Sequence, residues 1–150
     1  MLAFWIRMGA FIHRLDVRFR DCDPMGHVNN AVYLTYLEQT RFNHWRALWG
    51  FGNPQTPPEM PGVILARVEA DYKGPARYGD VLEIRLLVSE IGRSSFRYEY
   101  EIVDEQRRTV LLAKTVQVMY DYKTQKPVAI PDEIRRLLEI HRQEASPSDG

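Results

Sequence analysis

One cysteine stands in 150 residues, which excludes an internal disulfide framework and suits a reducing compartment. Charge of one sign is not in excess. Twenty Lys and Arg face twenty Asp and Glu, so no global field draws the protein to nucleic acid or an anionic membrane. No apolar run reaches the ~20 residues of a membrane-spanning helix. The apolar opening Met1 to Arg7 falls short of a signal peptide, which takes about 15–30 residues and a basic start; Met8 offers a second start. The expected location is cytoplasmic. Gly-x-Gly-x-x-Gly, the P-loop and Gly-x-Ser-x-Gly are all missing, which removes the sequence grounds for dinucleotide, nucleoside triphosphate and α/β-hydrolase chemistry. His13, His44 and His141 form no pair or cluster at metal-ligand spacing, so no metal is expected.

What the chain does have is periodicity. Residues 13–19 alternate, with His13, Leu15, Val17 and Phe19 on one face and Arg14, Asp16 and Arg18 on the other, the pattern of a half-buried strand. Residues 30–49 follow helical spacing: Leu34, Leu37, Trp45 and Leu48 share a side, Tyr33, Tyr36, Phe42 and Trp49 widen it, and Thr35, Gln39, Asn43 and Arg46 leave a narrow polar stripe. So wide an apolar arc predicts a helix enclosed on most sides, ended by Gly50 and Gly52. Residues 50–62 are loop, rich in proline and glycine. Strand patterns follow near 63–73, 80–90, 94–103 and 109–121, with Asp104 to Arg108 as a polar hairpin turn. After Pro131 a short amphipathic helix carries Ile134, Leu137, Leu138 and His141, and a disordered tail is expected from about 145 to 150. The order is strand, long helix, four strands, short helix. Consecutive strands read as a meander wrapped around the long helix. The class is α+β, a single domain over 1–150 with its core at about 11–140; at this length roughly 70% of the unfolded-chain surface is buried.

Between the first strand and the long helix lies Asp21-Cys22-Asp23-Pro24-Met25-Gly26-His27-Val28-Asn29-Asn30-Ala31-Val32-Tyr33. Proline and glycine mark a turn, and Asn29 or Asn30 can cap the helix that follows. Two carboxylates and a histidine are thereby held near a helix N-terminus, where backbone N–H groups lack partners and the dipole favours negative charge. A loop carboxylate beside ready-made oxyanion donors is a hydrolytic arrangement.

The motif Asp-x-Asp-x-x-Gly-His-Val-Asn-Asn-x-x-Tyr, opening a long helix after one strand, resembles the hotdog-fold acyl-CoA thioesterases of the 4-hydroxybenzoyl-CoA thioesterase type. Asp71-Tyr72 before Gly74-Pro75, Tyr78-Gly79-Asp80, Gly92 to Phe96 and the run Lys114 to Asp121 are similar to that family as well. The resemblance implies a curled antiparallel sheet around helix 30–49, paired into a homodimer or a dimer-of-dimers tetramer. It implies hydrolysis of an acyl-CoA thioester to free acid and CoA, with coenzyme A as part of the substrate and no separate cofactor. By family position Asp23 acts as nucleophile or general base, and the backbone N–H of Asn30 receives the thioester oxygen. His27, Tyr33 and Arg93 are the substrate-binding candidates, Arg93 near the nucleotide phosphates; Arg67, Arg77 and Arg97 are further basic candidates. His-Val-Asn-Asn is similar to the branch with long-chain substrates, so medium- to long-chain fatty acyl-CoA is expected. An aryl-CoA substrate and a non-catalytic acyl-CoA-binding module are the alternatives.

Three other residues compete for the chemistry. Cys22 beside His27 has the composition of a thiol nucleophile, but neighbouring side chains on an extended loop point apart. His27 reads either as a base or as a group that orients Asp23. Glu38 sits two turns into the helix, where some hotdog thioesterases carry their carboxylate, and Arg41 at i+3 makes an ion pair the plainer reading.

Overall fold

The computed structural model describes residues 9–52, 54 and 61–142. Its elements are β1 (Phe11–Asp16), a 3₁₀ turn (Phe19–Asp21), α1 (Asn30–Trp49), β2 (Gly62–Tyr72), β3 (Val81–Ile91), β4 (Ser95–Val103), β5 (Thr109–Asp121), β6 (Lys126–Pro127) and α2 (Asp132–Ile140). One antiparallel sheet runs in the order β1-β3-β4-β5-β2, with β6 paired to β5. Only β3, β4 and β5 form a meander. The expected four-strand meander fails at β2, which crosses to the far side of β5 and leaves β3 free to pair with β1. Register shifts at Leu65/Arg67 and Val88/Glu90 bend the strands, as bulges do, and the sheet curls around α1.

Cross-strand rows explain why these residues form the core. His13, Ile84, Ile102 and Leu111 stand in one row; Leu86, Tyr100, Ala113 and Ala70 in the next. Side chains of alternate residues share a face, and this face meets Tyr33, Tyr36, Leu37, Thr40, Arg41, His44 and Trp45 of α1, all buried. The expectation of a helix enclosed on most sides is corrected: Leu34 and Phe42 are 38% and 37% exposed, and Thr35, Glu38, Gln39 and Arg46 also face outward. The buried stripe carries polar groups instead, because tyrosines from β4 meet them. His44 Nδ1 lies 2.8 Å from Tyr98 Oη, Trp45 Nε1 donates to the same oxygen at 2.9 Å, and Arg41 donates to Tyr100 Oη at 3.3 Å.

The strand expected over 13–19 ends at Asp16. Arg18 N–H donates to the Asp21 side chain and Asp21 N–H to Arg18 C=O, a local turn that overrides the alternation and leaves Phe19 78% exposed. Pro131 lies one residue earlier than expected, as the N-cap of α2 rather than its first residue. The tail at 145–150 lies outside the described residues. Among the described residues, no helix is long and apolar enough to cross a membrane.

Candidate active site

The site begins with a buried carboxylate. Asp21 is 3% exposed and accepts from Arg18 N at 2.9 Å, Arg18 Nη2 at 3.0 Å and Tyr36 Oη at 2.7 Å. Burial alone would raise its carboxyl, but the Arg18 and Tyr36 bonds and the guanidinium charge outweigh that and hold it below the usual carboxylate range. Its backbone carbonyl accepts from Asn29 N at 2.9 Å. Asp21 therefore ties both ends of the loop to α1.

Beyond it the chain folds back on itself. Cys22 and Val28 form a bridge, Asp23 N donates to His27 O, and Gly26 N donates to Asp23 O, both at 2.9 Å. Gly26 takes φ 82°, a left-handed conformation that glycine adopts without strain. Asp23 Oδ1 accepts from Met25 N at 2.9 Å; among the described residues nothing bonds its other oxygen. His27 forms a bridge with Arg77, whose Nη2 lies 3.4 Å from His27 Nε2. Val28 N donates to Ala76 O at 2.8 Å, so the segment around Ala76 backs the loop.

The helix start resolves the asparagine pair. Asn29 is the N-cap, its Oδ1 accepting from Ala31 N at 2.9 Å. Asn30 is the first helical residue, and its N–H has no acceptor among the described residues, as expected of a first-turn donor. Tyr72 Oη donates to Asn30 O at 2.8 Å, pinning the end of β2 against the start of α1.

The model of the thioesterase-like superfamily matches residues 17–138. The chain belongs to that superfamily. A Thermus thermophilus thioesterase solved with coenzyme A and zinc is 32% identical with a TM-score of 0.73, over 86% of this chain and 91% of its own. The acyl-CoA thioesterase YbgC of Haemophilus influenzae is 29% identical over 84% of this chain and 92% of its own length. The long-chain acyl-CoA thioesterase FadM of Escherichia coli is 28% identical over 84% and 95%. Fold and family agree: this is a hotdog thioesterase.

Within the thioesterase the expected site residues do not all meet. Asp23, His27 and Asn30 share the loop and helix start. Tyr33 is buried at 3%, its hydroxyl accepting from Ala76 N at 3.1 Å. Arg93 is exposed in the turn between β3 and β4, whereas the loop packs beside Asp80 and the start of β3, since Val17 N donates to Asp80 O. The eleven residues of β3 separate them, roughly 35 Å at a strand's rise per residue. Cys22 Sγ lies 3.9 Å from Arg18 O rather than against His27. Glu38 is exposed on α1 and makes no ion pair within 4.0 Å among the described residues, so the expected Arg41 pairing is not formed. No three His, Cys, Asp or Glu side chains among the described residues could hold a metal.

Two supports of the loop escaped the sequence reading, Tyr36 and Tyr72. Asp21 was visible as the first carboxylate of Asp-x-Asp, and its burial follows from the turn that ends β1. Tyr36 carried no signal beyond helical periodicity, and Tyr72 stood in a family-like segment that gave no hint of its bond to the helix start.

Proposed function

We propose that this thioesterase hydrolyses acyl-CoA at the junction of the Asp23 loop and the N-terminus of α1. The observation that carries the reading is that one loop and helix start, held by the Asp21 clamp, carries an Asp23 carboxylate oxygen and an Asn30 N–H that both lack a bonded partner among the described residues. The acyl carbonyl oxygen lies against the Asn30 N–H, where charge develops. Asp23 either attacks the carbon, giving an anhydride that water opens, or takes a proton from the attacking water. In both routes the C–S bond breaks, the CoA thiolate leaves and is protonated, and the acid is released. His27, whose backbone carbonyl accepts from Asp23 N–H and whose ring lies beside Arg77, orients the loop.

Two further elements complete the proposal. Strand β2 is an eleven-residue edge, with Leu65 46% exposed, and an edge so long and apolar calls for cover. A second copy pairing along β2 supplies it and makes a homodimer the basic unit. Arg93 then meets CoA phosphates only at an active site to which another copy contributes the Asp23 loop. The acyl group is a medium to long chain, supported by the name of the E. coli relative and by the burial of Tyr33, Tyr36, Trp45, Phe96 and Tyr98, which makes these aromatics core rather than an aryl pocket.

The test is Asp23→Asn, assayed by thiol release from an acyl-CoA panel with CoA affinity measured in parallel. Loss of a nucleophile or general base lowers kcat on the order of 10²–10⁴-fold, with CoA affinity and folding retained. A variant that keeps more than about a tenth of wild-type kcat refutes the assignment, since general-base catalysis alone supplies at least about 10².

A further inference from the structure

Among the described residues two arginines are buried, and their surroundings differ. Arg85 is 2% exposed and lies 2.8 Å from both Glu83 and Glu101, so its charge is neutralised. Arg41 is 4% exposed; among the described residues its guanidinium bonds only the neutral Tyr100 hydroxyl, at 3.3 Å, and no carboxylate comes within 4.0 Å. Arginine does not shed its proton in a protein, and an ion taken out of water is costly unless a counter-charge meets it.

Arg41 also lines an open groove of about 140 Å³ between α1 and β2, walled by Leu34, Leu37, Leu65 and Val68, with Thr35 and Glu38 at its sides. The helix stripe that walls the groove starts at the proposed reaction site. Asn30, Leu34, Glu38 and Arg41 follow each other at i, i+4, i+8 and i+11, one stripe of the helix. The Tyr72–Asn30 bond closes the stripe's N-terminal end against β2. A chain leaving a carbonyl at the Asn30 N–H thus passes between leucines and valine and ends at a guanidinium. The two Cα positions are roughly 16 Å apart along the axis, and helical side chains lean toward the N-terminus, so Arg41 reaches back to meet a chain of medium length.

We propose that the groove selects acyl groups ending in a carboxylate, the monothioesters of medium-length dicarboxylic acids, with Arg41 as the specificity-determining residue. A methyl terminus leaves the buried cation unmatched, whereas a carboxylate forms the charge-assisted fork for which guanidinium geometry is suited. Glu38 is exposed and screened by water, one turn before Arg41; it faces the methylene portion of the chain and disfavours a carboxylate placed short of the guanidinium. This inference rests on the hydrolase reading above and specifies its substrate.

Two measurements test it, one independent of turnover. The first is the melting temperature of wild-type protein with sebacate, and with decanoate as the control of equal length. Sebacate is expected to raise it and decanoate to do so less, with the difference lost in Arg41→Met. The second is kcat/KM for 9-carboxynonanoyl-CoA, the sebacic acid monothioester, against decanoyl-CoA in both proteins, where the wild-type ratio exceeds about ten and falls at least tenfold in the variant, as when a site's hydrogen-bonding partner is removed. Equal response of wild type to the two acids overturns the proposal whether or not the variant folds. So does a ratio that Arg41→Met leaves unchanged, or a variant that loses its dimer while wild type ignores sebacate, because a second copy then holds the counter-charge. Absence of CoA release from every thioester refutes the hydrolase reading instead, and sebacate binding still judges Arg41.

Discussion

Mild acid should weaken this protein through His44. Its ring is fully buried, set between Phe11 at 5.0 Å, Tyr98 at 5.4 Å and His141 at 5.0 Å between ring centroids. Burial, with the nearby His141 adding to it, pushes the imidazole down to about 3. In the unfolded chain the same group titrates near 6.5. Between those values the unfolded state binds a proton that the native state refuses, so stability is intact above about pH 6.5 and falls as the pH drops toward 3. From pH 7 to pH 5 the loss is on the order of 2 kcal/mol from this one group, at about 1.4 kcal/mol per pH unit once the unfolded histidine is protonated. His13, lowered by burial alone, acts in the same direction. Asp21 and Asp104, held low by Arg18 and Arg108, give way only below the usual carboxylate range, outside this window. The assay is urea unfolding at fixed protein concentration, at pH 7 and pH 5, for wild type and His44→Phe. Phenylalanine removes the titrating group and the partnerless Nε2, while Tyr98 Oη keeps Trp45 as its donor. The variant should lose less between the two pH values, by on the order of 2 kcal/mol. Equal losses in both proteins would refute the argument.

Glu101→Ala should cost about 3–5 kcal/mol, because it strips a fully buried carboxylate from Arg85 and leaves that cation half-matched; the urea midpoint reads it, and a loss under about 1 kcal/mol contradicts it. Asn29→Ala removes the cap that holds Ala31 N and should destabilise by about 1 kcal/mol. Because the cap adjoins the Asn30 N–H, kcat should fall with it while KM for acyl-CoA moves less, which steady-state kinetics on one thioester will show.

Much of the fold was legible because long periodic segments say what they are. Helix 30–49 and the strand at 109–121 are found where their spacing put them, and Gly50 ends the helix in a left-handed cap at φ 71°. The order of strands was not legible, since alternation in 63–73 marks a face and not a neighbour. Which helix face is buried was also hidden: counting apolar residues favours Leu34 and Phe42, whereas Tyr98 and Tyr100 make it possible to bury His44 and Arg41 instead. At the site, Asp23 and Asn30 were readable from the motif. The clamp by Tyr36 was not, because a tyrosine hydroxyl in a helix leaves no trace in periodicity, and the distance between Arg93 and the loop depends on a strand's full length.

The sheet order also sets when the protein can be made whole. Gly62 pairs with Tyr120 and Tyr72 with Leu111, so β2 leaves the ribosome long before its partner exists. At about 5–20 residues per second, the fifty-odd residues between Gly62 and Tyr120 take roughly 3–12 s. Strand β1 also waits, for Phe11 pairs with Leu86. Through that interval Val63, Ile64, Leu65 and Val68 stand on a strand with neither edge occupied, which favours pairing with another nascent copy. Slowing translation downstream of Tyr72 should therefore lower soluble yield more than slowing it after Asp121.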